Sequence, residues 1–403
     1  MSSLSETHFG GVRYPDRHDV LTLHLAVGPE LHFLRVDRGD FSLTGISRLS
    51  LPAPIQYVAA HPSRSLLYVV SSNRSVSRAD DLHALTTVEV DERTGAMRAL
   101  AQVALPTRPI HLGVTPQGDA LLVAYNAPAL VTAHAIDADG LAGDMLAQAA
   151  PVPAGVFPHQ VKILPSGAAA VVVARGNHAT AVRPEEPGSL EFIALERGAL
   201  RHLSTIAPAT GLGFGPRHLD FHPSGNWAAL SMERQNELQV FAVRREGFGD
   251  AASFVATTLA APNRHGHDQL SGTLLFHPRG DRLYVVNRHD PSVYGDRSTP
   301  AESQGNNIAV FAFDAHTGRC ELLQHAATES VHVRTFSLDS SAQLLVTASI
   351  LPAPVHAGDG VATLPARLSF FRVDADGRIA LARVQDMPND RYSMFWSRLN
   401  GRA

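Results

Sequence analysis

The 403-residue sequence predicts an all-β fold: a seven-bladed β-propeller of four-stranded antiparallel blades, its ring closed by pairing of the N- and C-terminal strands. Three observations carry this. A segment of the form apolar-His-Pro-x-Gly-x-x-apolar-apolar-Val recurs six times, the copies are spaced for four short strands each, and the two ends of the chain hold three unclaimed strands and one.

The copies are Ile55 to Asn73 (IQYVAAHPSRSLLYVVSSN), Ile110 to Asn126, His159 to Val173, Arg217 to Met232, Gly272 to Asn287 and Val333 to Ser349. Each reads as a β-hairpin: an alternating apolar run ends in a turn, Pro-x-Gly in the second to fifth copies, where it supplies a fixed φ and a permitted positive φ, and a β-branched run leads back. The turn markers Pro62, Pro116, Pro165, Pro223, Pro278 and Asp339 lie 54, 49, 58, 55 and 61 residues apart. Units of that length cannot bury both faces alone, and stacked radially they make a propeller. Ahead of the first copy, strands are expected at 20–26, 31–36 and 42–49. After the sixth come strands at 368–373 and 379–384, then an orphan at 392–399 (YSMFWSRL). Three plus one completes a seventh blade and removes the open edge of the ring. Seven blades average roughly 58 residues, somewhat above the usual repeat length.

The expected organisation is therefore an N-terminal extension, 1–19, and one propeller domain, 20–403. Hydrophobic content of 44% against 18% charged residues provides for a large core, and a formal net charge of -4 gives no basic footprint for nucleic acid. The single Cys320 excludes an internal disulfide framework and a Cys-based zinc site. It falls in an expected β-turn after His-Thr-Gly, with no base beside it. No stretch approaches the roughly 18 to 20 apolar residues of a membrane span, and the first twenty residues lack the apolar region of a secretory leader. A soluble cytoplasmic protein is expected, without nucleic acid or membrane partners. No HExxH, Cys pair or calcium loop is present, and the His265-x-His267 pair is a weak metal signal, so neither metal nor cofactor is expected. Segments 73–84, 175–188, 288–307 and 351–365 exceed the repeat and read as loops on the propeller faces.

The units Gly215 to Val243, Phe157 to Gly167 and Leu274 to Arg288 resemble those of the seven-bladed propeller lactonase family, which includes propeller-type 6-phosphogluconolactonases and fungal 3-carboxy-cis,cis-muconate lactonizing enzymes. The likeness covers nearly the whole chain. It rests most specifically on Pro-Arg-His followed by His-Pro-x-Gly and a Glu closing the next strand. The resemblance implies site roles for His159, for Arg217 of Pro-Arg-His, for Glu233 within LSMER and for Arg288 within VVNR. Two departures stand out. Where the family often carries an acidic Asp-Leu-Gly-like segment, this chain reads Ala174-Arg175-Gly176-Asn177-His178, and the family's Ala-Asn in the sixth blade is Ala348-Ser349.

The residue chemistry agrees with these roles. Strand ends of a propeller converge on its axis, so equivalent positions of neighbouring blades can face one small ligand. Arg217 and Arg288 suit a carboxylate or phosphate, His159 can move a proton near neutral pH, and Glu233 can serve as its partner or as the base for water. His111, taken as the counterpart of His159 one blade earlier, and Arg334 in the sixth blade are further candidates for the pocket lining. The structural alternative is an Arg217–Glu233 ion pair plugging the channel. His61, His218, His222 and His277 read as turn or packing histidines. The expected partner is a small anionic lactone or carboxylate. Lactone hydrolysis is favoured, with a muconate-type cycloisomerase and a non-catalytic binding scaffold as the alternatives.

Overall fold

A computed structural model describes residues 20–73, 80–196, 198–260, 269–289, 305–357, 359–388 and 392–400. The extension 1–19, residues 74–79 of the segment 73–84, residues 290–304 of the segment 288–307, and the His265/His267 pair lie outside the described residues.

Seven antiparallel sheets surround an axis. Six of them follow the hairpin copies, and we number them blades 1 to 6 by their innermost strands: Ile55–Ala60, Pro109–Val114, Pro158–Ile163, Pro216–Phe221, Gln269–Phe276 and Val333–Leu338. Blade 7 takes its three outer strands from the N-terminal region, Val20–Val27, Glu30–Asp37 and Leu43–Ser50, and its innermost strand, Met394–Asn400, from the C-terminal region. Leu23 pairs with Leu399 and Leu25 with Ser397, so the ring closes as the sequence predicts. Blade 4 departs slightly, its outer edge being split into Gly247–Phe248 and Phe254–Thr257.

The core lies between blades, where alternating residues of facing sheets interlock. Leu164, Val171, Val173, Phe192, Leu219, Leu230 and Phe241 fill the gap between blades 3 and 4. The turn histidines tie neighbours together. His61 Nδ1 accepts from the amides of Ser63 and Arg64, and His222 Nδ1 accepts from that of Ser224 while its Nε2 bonds the carbonyl of Gly280 in blade 5. A Cβ on Gly280, whose φ is 79°, would lie 2.3 Å from that ring, so this glycine is needed for both its backbone and its closeness. In the sixth hairpin the left-handed position is held by Ala342, at φ 50°. Ala342→Gly is therefore expected to stabilise the fold by about 1 kcal/mol, which denaturant unfolding would register as a raised midpoint.

The segment 351–365 is not an irregular loop. Its β-branched residues form an exposed hairpin, Ala353–Ala357 with Gly360–Leu364. Segment 175–188 is pinned by single bridges, Asn177 to Glu186 and Thr180 to Arg183. No helix among the described residues is long and apolar enough to cross a membrane.

Candidate active site

A β-bulge recurs at the same place in every innermost strand. In blade 3 the pairing steps from Pro158–Ala174 to Gln160–Val173 and skips His159, and in blade 4 it steps from Pro216–Met232 to His218–Ser231 and skips Arg217. The skipped residues elsewhere are Gln56, Ile110 and Arg334, with matching shifts in blades 5 and 7. A bulge re-aims the side chain it carries. His159, Arg217 and Arg334 are thus equivalent positions gathered around the axis. His111 is not: its counterparts are Gln160 and His218, and the place equivalent to His159 in blade 2 belongs to Ile110. The expectation for His111 was one residue out of register.

Arg175 and Glu233 stand one residue beyond the second strands of blades 3 and 4, and Arg288 is the penultimate residue of the second strand of blade 5, Arg282–His289. They meet in one buried layer with Arg217. Glu233 Oε1 accepts from Arg217 Nη1 and from Arg288 Nη2 at 2.6 Å, and Oε2 accepts from Arg175 Nη1 at 2.8 Å. Arg217 and Arg288 are 2% exposed and Glu233 1%. Three guanidiniums around one carboxylate leave two positive charges in excess. Burial works against ionisation of Glu233, but Arg217, Arg175 and Arg288 outweigh it and hold the carboxyl well below its usual range. Five buried guanidinium nitrogens have no partner among the described residues: Arg175 Nε, Arg217 Nε and Nη2, and Arg288 Nε and Nη1. Buried donors in native structures are normally satisfied, so these five require an explanation.

Against this layer the axis opens into a cavity of about 510 Å³. Its ionisable lining among the described residues is Tyr57, His111, His159, Lys162, His218, Arg334 and Arg398, with no carboxylate. His218, expected to be a packing residue, instead faces the cavity with its ring 5.0 Å from that of His159. His159 is 5% exposed, its Nδ1 lacks a partner, and no hydrogen bond joins it to Glu233. Burial, then the charges of Arg217, His218, Arg334 and Arg175, push it well below the ordinary histidine value, so it is neutral at physiological pH. His111 and His218 are lowered in the same way, burial leading in both. His111 lies against Tyr57, ring centroids 3.8 Å apart, and the Arg334 guanidinium covers the ring of Phe395 at 4.9 Å.

A family model described as "Lactonase, 7-bladed beta-propeller" matches residues 24–350. The chain belongs to that lactonase family. Similar proteins include the 6-phosphogluconolactonase of Pectobacterium atrosepticum, 26% identical over 312 residues that cover 74% of this chain and 85% of the relative. The 6-phosphogluconolactonase of Bacillus subtilis is 24% identical over 297 residues, covering 73% and 76%. Among solved structures, the periplasmic gluconolactonase of Pseudomonas aeruginosa superposes with a TM-score of 0.71 at 19% identity, covering 93% of this chain and 99% of that one. A Lactobacillus plantarum protein gives 0.68 at 20%, covering 94% and 98%. At these identities the structural likeness is one of fold.

In this member of the lactonase family the predicted residues occupy two adjoining zones. His159, His111 and Arg334 line the cavity, while Arg217, Arg288 and Glu233 form the layer behind it. Sequence reasoning noted Arg175 as a change of charge but missed its place as the third ligand of Glu233. The available signal was its place directly after the second strand, as for Glu233 one blade on. The Arg175 guanidinium also stacks over Phe157 at 4.4 Å. Cys320, expected in a turn, is the second residue of strand Arg319–Ala327, and burial raises its thiol to about 12, which leaves it inert as a nucleophile. Among the described residues no group of three or more His, Cys, Asp or Glu is placed to hold a metal ion.

Proposed function

We propose that the protein hydrolyses a small anionic lactone of the sugar-acid type, such as 6-phosphogluconolactone, with His159 as the general base. The observation that carries this reading is the set of five unpartnered guanidinium nitrogens beside a neutral histidine. An oxyanion is the group that would satisfy them. The relatives named 6-phosphogluconolactonase point to the same substrate class.

In this reading the lactone sits at the border between cavity and layer, with its carbonyl turned to the arginines. Because Arg217 and Arg288 are closed off from solvent, the layer has to open locally as substrate enters. His159 takes a proton from water, the resulting hydroxide adds to the carbonyl carbon, and the guanidiniums stabilise the oxyanion. Collapse breaks the ring C–O bond, and the departing alkoxide recovers the proton from His159. Glu233, held ionised with both oxygens occupied by arginines, is a poor proton acceptor. We assign it the role of positioning the guanidiniums. Arg334 faces the cavity directly and suits the substrate's own anionic group.

The pH profile tests this. A base must be unprotonated, and the His159 value lies well below 6.5 in the free protein. The kcat/KM for lactone hydrolysis is therefore expected to stay level from neutral pH down through 6.5 and to fall only below it. A bound anion offsets the surrounding positive charge and raises the His159 value, so the acid limb of kcat should lie at higher pH than that of kcat/KM. An acid limb of kcat/KM centred at or above 6.5 would contradict the assignment.

A further inference from the structure

Beyond the level of His159 and His218 the cavity continues along the axis to the hairpin turns at Pro62, Pro116 and Pro165. Four residues after the residue that precedes its bulge, every innermost strand reaches this deeper level, and all of these positions except Asp220 of blade 4 line the cavity. The registers place Ala59, Gly113, Lys162, Asp220, Leu275, Ser337 and Arg398 at one level. Ala59 is small, and Gly113 lets the backbone of the next blade approach, a Cβ there lying 3.0 Å from the carbonyl oxygen of Val161. Lys162 Nζ donates to Asp220 Oδ1 at 2.7 Å, and Asp220 Oδ2 accepts from the amide of Phe276 at 3.0 Å, so the one acid at this level is fully engaged. The ammonium keeps two further donors. Burial opposes its charge, but Asp220 outweighs burial and the pKa is raised, so Lys162 remains a cation.

Arg398 lines the same space and makes no hydrogen bond or ion pair among the described residues. The acid it senses, Glu92, is already held by Thr22 Oγ1 at 3.3 Å and Asn400 Nδ2 at 3.1 Å. Tyr57 stands one layer above, and its hydroxyl makes no hydrogen bond among the described residues. Burial raises this hydroxyl above its ordinary value, and it also senses Lys162, Asp220 and Arg398, so the phenol lies near cations of two different blades and near the acid that pairs one of them. A guanidinium, an ammonium paired with Asp220 and a hydroxyl therefore border one open space, which no carboxylate among the described residues lines, in a protein whose overall charge is -4. Arg398 also lies outside residues 24–350, the stretch matched by the family model.

We propose that this part of the channel is a second anion site, in which Arg398, Lys162 and the Tyr57 hydroxyl bind a compact oxyanion of the phosphate type. Free phosphate and the phosphoryl group of a sugar phosphate share the chemistry. Three donors of different shape surrounding an axis suit a tetrahedral oxyanion, and the guanidinium offers it a bidentate edge. The site does not depend on the lactonase reading, because it requires neither His159 nor the buried arginine layer.

The test is calorimetric titration of the full-length protein with inorganic phosphate, and separately with a phosphorylated and an unphosphorylated sugar acid. Phosphate is expected to bind, with an affinity at least about tenfold weaker in Arg398→Gln, equivalent to about 1.4 kcal/mol. Tyr57→Phe removes only a hydroxyl and should weaken binding several-fold in a protein of unchanged melting temperature. It preserves the test if Arg398→Gln fails to fold. Ala59→Asp, which places a carboxylate at the same level, should abolish binding. Tighter binding of the phosphorylated sugar acid than of phosphate would identify a sugar phosphate as the ligand, and equal affinities would identify the free ion. Binding that is absent in the parent, or unchanged in both Tyr57→Phe and Ala59→Asp, would overturn the proposal whether or not the protein hydrolyses lactones.

Discussion

His159→Asn is expected to lower kcat for lactone hydrolysis by about 10²- to 10⁴-fold, the usual contribution of a positioned general base. The fold should be almost unaffected. The imidazole makes no hydrogen bond through Nδ1, and the residue occupies a bulge facing a cavity, not a packed interface. The combination is informative because a histidine that merely packed between blades would show the reverse: lost stability and retained turnover. Steady-state kinetics and a thermal melt of the same preparation separate the two. Unchanged kcat in a folded His159→Asn protein would remove His159 from the chemistry.

Glu233→Gln is expected to act first on stability. Among the described residues the carboxylate is the only negative group bonded by Arg175, Arg217 and Arg288, and its loss leaves buried guanidiniums without that countercharge. Removing one partner of a buried ion pair destabilises by about 3–5 kcal/mol, which equilibrium denaturant unfolding at neutral pH would detect directly. The pH dependence has a definite sign. The folded-state value of Glu233 is depressed, so its contribution is fully present above the ordinary carboxyl value of 4.5 and is lost as pH falls through the lower folded value. The difference between parent and Glu233→Gln should therefore shrink in strong acid. Removing Arg175, the most exposed of the three, should have a smaller effect. A Glu233→Gln protein as stable as the parent would show that the layer is not held by this carboxylate.

Much of the fold was legible because propeller hairpins carry their own turn chemistry. Pro116 with Gly118, or Pro223 with Gly225, marks a turn without reference to anything else in the chain, and the termini could be assigned to one blade by counting strands. The bulges were not legible. An extra residue in an otherwise alternating strand leaves no composition signal, yet it moves every later side chain to the other face. That is why His111 was matched with His159 when its counterpart is His218, and why His218 was taken for a packing residue. Pro109, Pro158 and Pro216, each immediately before the bulged residue, were the nearest clue. The candidate site was legible as a set of residue types but not as two zones. Whether an arginine faces a cavity or backs it depends on the register of two strands at once, as Arg334 and Arg288 show. Arg398 was invisible to the sequence reading because its strand has no hairpin partner adjacent in the chain.

The central claim is that buried positive charge beside His159 serves turnover of an anionic lactone. The most direct test is proton release by the purified protein on 6-phosphogluconolactone and on gluconolactone, compared side by side at neutral pH. The account predicts hydrolysis of both, with higher kcat as well as higher kcat/KM for the phosphorylated substrate, and loss of both activities in His159→Asn. Faster turnover of the neutral lactone, or no acid production from either, would contradict it.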